Sequence, residues 1–357
     1  MQEKKNGKAK NLRAVDFFCS GGGMTAGFRK AGVRVLGGID IDKDCEETYT
    51  KNNPGSIFIH SDIKKLSFLG LKKELKIKTN DDHLIFIGCS PCQYWSNIKT
   101  IKAKSEESKN LLCDFERFVK HFRPGHIVVE NVPGILNRFE ESPLKAFLNF
   151  LTEQKYIYCH EVINASHYGV PQTRKRFLLI ASRVMKDVKL PIADTKSEIP
   201  TVRKFIGDKK KFKPISAGHK DKSQFNHTSA GLTNRNLQRL KATPHNGGTR
   251  MAYSFDKEIA IKSHFNTKNF SDSYSRMFWD KPAPTITTRF NSISNGRFGH
   301  PEQDRGISLR EGATLQTFDL NYIFHGKNQS IISRQIGNAV PPILSFKIAK
   351  AILKNVE

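Results

Sequence analysis

The reading of the fold turns on Leu12-Arg13-Ala14-Val15-Asp16-Phe17-Phe18, followed at once by Cys19-Ser20-Gly21-Gly22-Gly23 and then by Met24 to Ala31. The first seven residues read as a buried strand, Ser20 to Gly23 as a tight turn, and Met24 to Ala31 as a helix. Further along, Val33 to Ile39 reads as a second strand, Asp42 to Asn52 as a helix and Ser56 to Ile59 as a third strand. Leu84 to Ile87 and Ile127 to Val129 give two more strands, with a helix at Leu111 to Phe122 between them. Strand and helix alternating at these spacings argue for a parallel sheet covered on both faces. Tyr156 to Asn164 and Arg176 to Ile180 add an antiparallel pair at the sheet's far edge. The fold class is α/β, a Rossmann-like mixed sheet with a smaller loop-rich domain.

The boundaries expected are a flexible tail at 1–11, a catalytic and cofactor-binding domain at 12–186, a loop-rich domain at 187–305 and a C-terminal segment at 306–357 that returns to the first domain. The loop-rich region carries Lys, Asn, Ser, Thr and Pro with no helical periodicity. Regular structure resumes at Ser308 and ends in a helix at Ile343 to Val356.

Lys and Arg outnumber Asp and Glu by 59 to 34, a formal charge of +25. That sign favours a polyanionic partner, although a lysine-rich surface alone gives the same count. No stretch approaches the ~20 apolar residues of a membrane span, and the basic tail has no apolar run behind it. Six cysteines without framework spacing suit a reducing compartment. The expectation is a soluble intracellular protein.

Two strand ends carry chemistry. Leu84-Ile85-Phe86-Ile87 runs into Gly88-Cys89-Ser90-Pro91-Cys92-Gln93, which sets a thiol at the C-terminal edge of the sheet, where open α/β folds bind ligands. Ile127-Val128-Val129 runs into Glu130-Asn131-Val132, which sets a carboxylate at the same edge. Cys89-x-x-Cys92 also admits a redox pair or half a zinc site, but no second pair stands at zinc spacing. The glycine turn with Asp40 and Asp42 suits a nucleoside, and contiguous glycines disfavour the dinucleotide fingerprint. Arg174 and Arg176, two apart on extended chain, suit an anion or a carboxylate.

The series Asp16-Phe17-Phe18-Cys19-Ser20-Gly21-Gly22-Gly23, Pro91-Cys92-Gln93, Glu130-Asn131-Val132, Gln172-Thr173-Arg174-Lys175-Arg176, Arg310-Glu311-Gly312-Ala313-Thr314-Leu315-Gln316 and Gly337-Asn338-Ala339-Val340 occurs in this order. It resembles the cytosine-5 DNA methyltransferases of bacterial restriction–modification systems, over residues 12–182 and 306–357. Between them only Lys281-Pro282-Ala283-Pro284-Thr285-Ile286-Thr287 matches, which makes 187–305 the family's variable target-recognition region.

The resemblance implies the S-adenosylmethionine-dependent methyltransferase fold and a flipped cytosine in double-stranded DNA. It makes Cys92 the nucleophile at ring carbon C6 and Glu130 the acid at N3, with Arg174 and Arg176 positioning the base. S-adenosyl-L-methionine, leaving as S-adenosyl-L-homocysteine, would meet Phe18, Ser20, Gly21, Gly23, Asp40, Ile41, Asp62, Ile63, Pro91, Leu111, Asn338 and Val340. Gln93, Ser96, Val132, Gln172 and Thr285 would contact the substrate, and no metal is implied. It also implies a cytoplasmic, nucleoid-associated monomer with no membrane partner, and a restriction endonuclease reading the same site without a stable complex. Tyr94-Trp95 departs from the family's usual Pro-Phe after Pro-Cys-Gln, and Asp40 stands where Glu is common. A tRNA methyltransferase on the same frame and a catalytically silent binding protein are the competing readings. Arg235, Arg250, Arg289 and Arg297 are candidates for base contacts.

Overall fold

The computed structural model describes residues 12–91, 94, 108–194, 199–261 and 272–356. The chain divides into two compact units. The first comprises Met1–Asn164, Lys175–Ala193 and Pro342–Glu357, and the second comprises Ala165–Arg174 and Asp194–Pro341. The stretch 306–341, read from sequence as part of the returning segment, therefore belongs to the second unit.

The first unit is built on seven strands, β1 (Arg13–Phe17), β2 (Arg34–Asp40), β3 (Ile57–His60), β4 (Leu84–Gly88), β5 (His126–Asn131), β6 (Ile157–Asn164) and β7 (Lys175–Ser182). Their order is β3-β2-β1-β4-β5-β7-β6. Strands β1 to β5 pair in parallel, and β7 runs antiparallel to both β5 and β6. The helices are α1 (Gly23–Ala31), α2 (Glu46–Asn52), α3 (Phe68–Leu75), α4 (Leu111–Phe122) and α5 (Pro143–Glu153). Helix α4 buries Leu112, Phe115, Phe118, Val119 and Phe122, an i, i+3, i+4 stripe. Against that stripe lies Phe17 of β1, with ring centroids 5.2 Å from Phe115 and Phe118 and 5.1 Å from Phe86. Edge-on aromatic packing of this kind adds to the area the rings remove from water.

The second unit has helices α6 (Asn234–Ala242), α7 (Leu309–Leu315) and α8 (Gln329–Asn338). Helix α6 lies in the region read as lacking helical periodicity. It starts at the Thr233 cap and buries only Leu240, with Leu237 half-buried one turn before it, a stripe too short to stand out as periodicity. Guanidinium groups organise this unit. Arg276, fully buried, donates to the carbonyls of Leu240, Thr243, His300 and Gln303 and pairs with Asp304. Arg305 grips both carboxylate oxygens of Glu311 at 2.7 and 2.8 Å, and Glu311 closes a capping box with Ser308 on α7. Arg305 beside it holds the Glu311 carboxyl down at about 2 although burial opposes it.

Helix α9 (Pro342–Val356) returns to the first unit and packs on α1. Ser345 donates to the carbonyl of Met24 at 2.7 Å, and Gly27 lies so close that a Cβ there would sit 2.4 Å from the Pro342 carbonyl oxygen. Residues Gln329–Lys354 are apolar enough by composition for a membrane span, contrary to the sequence reading. Their most apolar window is 67% buried within the protein, as in a core helix, and the run is broken between Asn338 and Pro342.

His126, at the start of β5, is fully buried, and neither ring nitrogen has a hydrogen-bond partner among the described residues. Burial, with Arg183 nearby, lowers its pKa to about 4. Such a histidine folds neutral. Its contribution is complete above the unfolded value near ~6.5 and is lost as pH falls toward the folded one. Chemical denaturation at pH 7 and pH 5 should therefore give a His126→Leu variant that loses about 2 kcal/mol less stability than the wild type over that interval.

Candidate active site

The parallel register sets one row of residues at the C-terminal edge of the sheet. Phe17 pairs with Ile39 and with Gly88, and Gly88 pairs with Val129. The next residues along each strand are Phe18, Asp40, Cys89 and Glu130, so an aromatic ring and two carboxylates share one edge.

Beyond β1 the backbone is bent. Phe18 and Ser20 adopt φ of +64° and +46°, and Gly22 caps α1 at +89°. An aromatic residue in the left-handed region is held there by its surroundings. The Cys19 N–H donates to the Ile39 carbonyl, and the Ser20 N–H donates to Asp40 Oδ2 at 2.7 Å. Asp40 Oδ1 accepts the Asp42 N–H at 2.8 Å, which leaves a lone pair on each oxygen. Burial raises the Asp40 carboxyl above its ordinary range, opposed by those two N–H groups.

A cavity of about 520 Å³ opens here, within the range that takes a small-molecule cofactor. It is lined by Phe17, Phe18, Ile39, Asp40, Ile41, Ser61, Asp62, Ile63, Lys64, Pro91, Ser108 and Leu111. Seven of the twelve cofactor positions read from sequence line it. Ser20, Gly21 and Gly23 do not, because they shape the turn behind it. The other five lining residues were not read from sequence as cofactor positions: Phe17 and Ile39, which it gives as strand residues, and Ser61, Lys64 and Ser108, whose only signal is nearness in sequence to Asp62 and Leu111. Behind the turn, Asp16 is buried and accepts from Thr25 at 2.7 Å, and burial lifts its carboxyl to about 7.

Glu130 is 7% exposed, and its Oε1 lies 2.9 Å from Nε of Arg176 on β7. The antiparallel pairing of Asn131 with Phe177 brings these side chains together. Asn131 Nδ2 donates to Ser90 Oγ at 3.1 Å, tying the end of β5 to the segment that leads into Pro91-Cys92. Val132 is half-buried beside it. Cys92, Gln93 and Ser96 lie outside the described residues.

The second unit holds the other expected positions. Gln172 is fully buried, donating to the Leu315 carbonyl and to Gln316 Oε1 and accepting from the Ile286 N–H. Both ends of the amide of Gln172, a residue expected at the substrate, are thus engaged within the second unit. Arg174 is also buried and donates to the carbonyls of Ile286, Gly337 and Ala339. These bonds make Arg174, expected to help position the base, a tie between two loops of the second unit. Thr285 donates to the Thr173 carbonyl. The 337–340 segment abuts the same loop, where a Cβ on Gly337 would fall 2.3 Å from the Thr287 carbonyl carbon. Asn338 is exposed there and Val340 buried. Of the four arginines considered for base contacts, Arg250 is buried and Arg297 is held by Asp272 and the Gly247 carbonyl. Arg235 and Arg289 are exposed.

The sequence profile of the C-5 cytosine-specific DNA methylases matches residues 12–354. The chain belongs to this family. As a methylase it is 37% identical over 349 residues to the type II methylase M.HgiDII of Herpetosiphon aurantiacus, covering 96% of this chain and 95% of that one. It is 29% identical to the type II methyltransferase M.DdeI of Desulfomicrobium norvegicum, over 96% of this chain and 88% of the relative. Among solved structures, a prophage-encoded protein of E. coli superposes with a TM-score of 0.75 at 22% identity, covering 96% of this methylase and 99% of that chain. The Entamoeba histolytica methyltransferase EhMeth gives 0.63 at 15% identity, covering 98% and 99%. These likenesses place the mixed seven-stranded sheet of the methylase in the S-adenosylmethionine-dependent methyltransferase fold.

Replacing Arg174 by Met strands three carbonyl acceptors in the second unit. Denaturant unfolding should show a loss of about 3 kcal/mol in that variant.

Proposed function

We propose that this methylase flips a target cytosine out of double-stranded DNA and transfers a methyl group to C5 through a covalent Cys92–C6 intermediate. The observation that carries the reading is the meeting, at one sheet edge, of the nucleoside-sized cavity at Phe18 and Asp40 with the Glu130–Arg176 pair. The cavity's donor set fits S-adenosyl-L-methionine. Phe18 would offer a flat apolar face to adenine, with Ile41 and Leu111 in the same lining, Asp40 keeps acceptor capacity for ribose hydroxyls, and Asp62 would meet the adenine edge. When bound, the cofactor supplies an electrophilic methyl group and leaves as S-adenosyl-L-homocysteine.

Carbon C5 of cytosine is a weak nucleophile, so electron density must first be pushed into the ring. The Cys92 thiolate forms a bond to C6 while Glu130 delivers a proton to N3, and the electron pair of the C5–C6 double bond becomes available at C5. Arg176 orients the Glu130 carboxyl during this step. After C5 is alkylated, water takes its proton, the C5–C6 double bond re-forms as the C6–S bond breaks and Cys92 departs as thiolate, and N3 returns its proton to Glu130. Flipping is required because a stacked base is out of reach of side chains at a sheet edge.

The relatives are named type II methyltransferases, which supports a sequence-specific modification role. In that role the protein works as a monomer on cytoplasmic, nucleoid-associated DNA, alongside a restriction endonuclease reading the same site without a stable complex. The exposed Arg235 and Arg289 are the arginines best available for DNA contact.

Labelled cofactor offered with duplex DNA and with tRNA should mark the duplex alone. A wild-type protein that forms no adduct with a 5-fluorocytosine duplex would sink the covalent route. Cys92→Ser should abolish methylation while its duplex affinity in a gel-shift assay stays close to wild type. Asp40→Ala, measured by calorimetry, should bind S-adenosyl-L-homocysteine about tenfold or more weakly, the cost of a charge-assisted hydrogen bond.

A further inference from the structure

Tyr94 is held from several directions although it lies only two positions beyond Cys92. Arg138 Nη2 donates to the Tyr94 carbonyl at 2.6 Å, and the same guanidinium lies 5.2 Å from the centroid of the Tyr94 ring. The Tyr94 N–H donates to Ser108 Oγ at 3.2 Å, and Lys109 Nζ lies 5.0 Å from the same centroid. Both main-chain polar groups of Tyr94 are therefore engaged, and its ring meets two cations. Arg138 sits eight residues past Glu130. It follows a short turn of helix, Gly134–Asn137, anchored by the buried Ile135, and its own N–H donates to the Gly134 carbonyl.

We propose that Arg138 is a positioning residue for methyl transfer: it fixes the main chain next to Cys92 to the end of the strand that carries Glu130. The proposal rests on Cys92 being the nucleophile. Two ties join the strand ends. Asn131 holds Ser90 on one side of Cys92, and Arg138 holds Tyr94 on the other. Main chain tied at Ser90 and at Tyr94 is held to the end of β5 at two points, and neither tie uses Glu130 as a strut. Tyr94 also stands where the resemblance leads one to expect proline. Proline fixes its own φ and has no N–H to satisfy. Tyr94 has both freedoms, and the bonds to Ser108 and Arg138 remove them.

Two substitutions address the contact from either side. Arg138→Met keeps most of the side chain's bulk and deletes the hydrogen bond and the cation, and Tyr94→Leu deletes the ring and keeps the carbonyl. The readout is the single-turnover rate of adduct formation with a 5-fluorocytosine duplex, alongside KM for DNA and cofactor and the melting temperature. Arg138→Met should slow adduct formation by about tenfold or more, as expected when a reacting group is displaced by a fraction of an ångström to an ångström. Both KM values should stay within about twofold, since uniform binding is untouched. Tyr94→Leu should slow the same step, the double variant should be no slower than Arg138→Met, and Arg138→Lys should recover part of the rate. A rate within twofold of wild type in Arg138→Met, or a slower rate with raised KM and a lowered melting temperature, overturns the proposal. In the second case Arg138 serves folding alone. Should Arg138→Met fail to fold, Tyr94→Leu at wild-type rate overturns it equally. If wild-type protein forms no adduct, the covalent reading has failed, whereas a wild-type adduct with an unimpaired Arg138→Met removes only the role of Arg138.

Discussion

The crossover that returns the chain from β3 to β4, beside β1, is the constraint on which the first unit depends. Strands β1, β2 and β3 build outward in one direction, and β4 and β5 build in the other. Because all five run parallel, their C-terminal ends lie on one edge, and the loops leaving β1 and β4 must diverge. That divergence opens the cavity. The register then decides what stands at that edge, because Phe17, Ile39, Gly88 and Val129 fall in one row and the candidate residues Phe18, Asp40 and Glu130 follow immediately. A slip of one residue in β1 would exchange Phe17, which anchors the aromatic core, for Asp16 or Phe18.

The two units solve the problem of a core differently. The first buries aromatic and aliphatic side chains between sheet and helices, and Phe17 belongs both to that core and to the cavity wall. The second buries Arg276, Arg305 and Arg310 and satisfies them with backbone carbonyls and a few carboxylates. Long irregular segments expose many carbonyls that no regular structure pairs. A guanidinium with five donors can gather several of them at once. Each such hub is costly to disturb, because removing it leaves several buried acceptors without a donor.

This difference explains what sequence could and could not reveal. Period-two and buried apolar runs marked every strand of the main sheet, and the stripe on α4 was visible from Leu111 to Phe122. In the second unit the organising residues are polar, so hydropathy patterns describe its surface and its interior alike. Nothing in the hydropathy pattern around Arg276 and Arg305 marks them as buried, and α6 buries a single leucine. The site followed the same division. Asp40 was legible because it follows a strand end, whereas Phe18, Asp62 and Leu111 were read only through the family resemblance. Ser61, Lys64 and Ser108 were not legible, since a small or flexible polar residue on a loop carries no pattern. Arg174 and Arg176 are two apart in sequence and looked alike, yet one binds carbonyls and the other meets Glu130. Which partner each finds is decided by tertiary pairing, and spacing is silent on it.

The packing of α9 on α1 has a kinetic consequence. Ser345 and Met24 are 321 residues apart, and the hydrogen bond between them joins helices on one face of the first unit. That face cannot be covered until residues 342–356 have left the ribosome, long after β1 to β5 are available to pair. The sheet must wait with α1 partly bare while the whole second unit is synthesised. Contacts of such long range make folding slow, because the closure of a long loop comes before its reward. Until residues 342–356 emerge and dock, that face of the nascent first unit keeps apolar surface in contact with water.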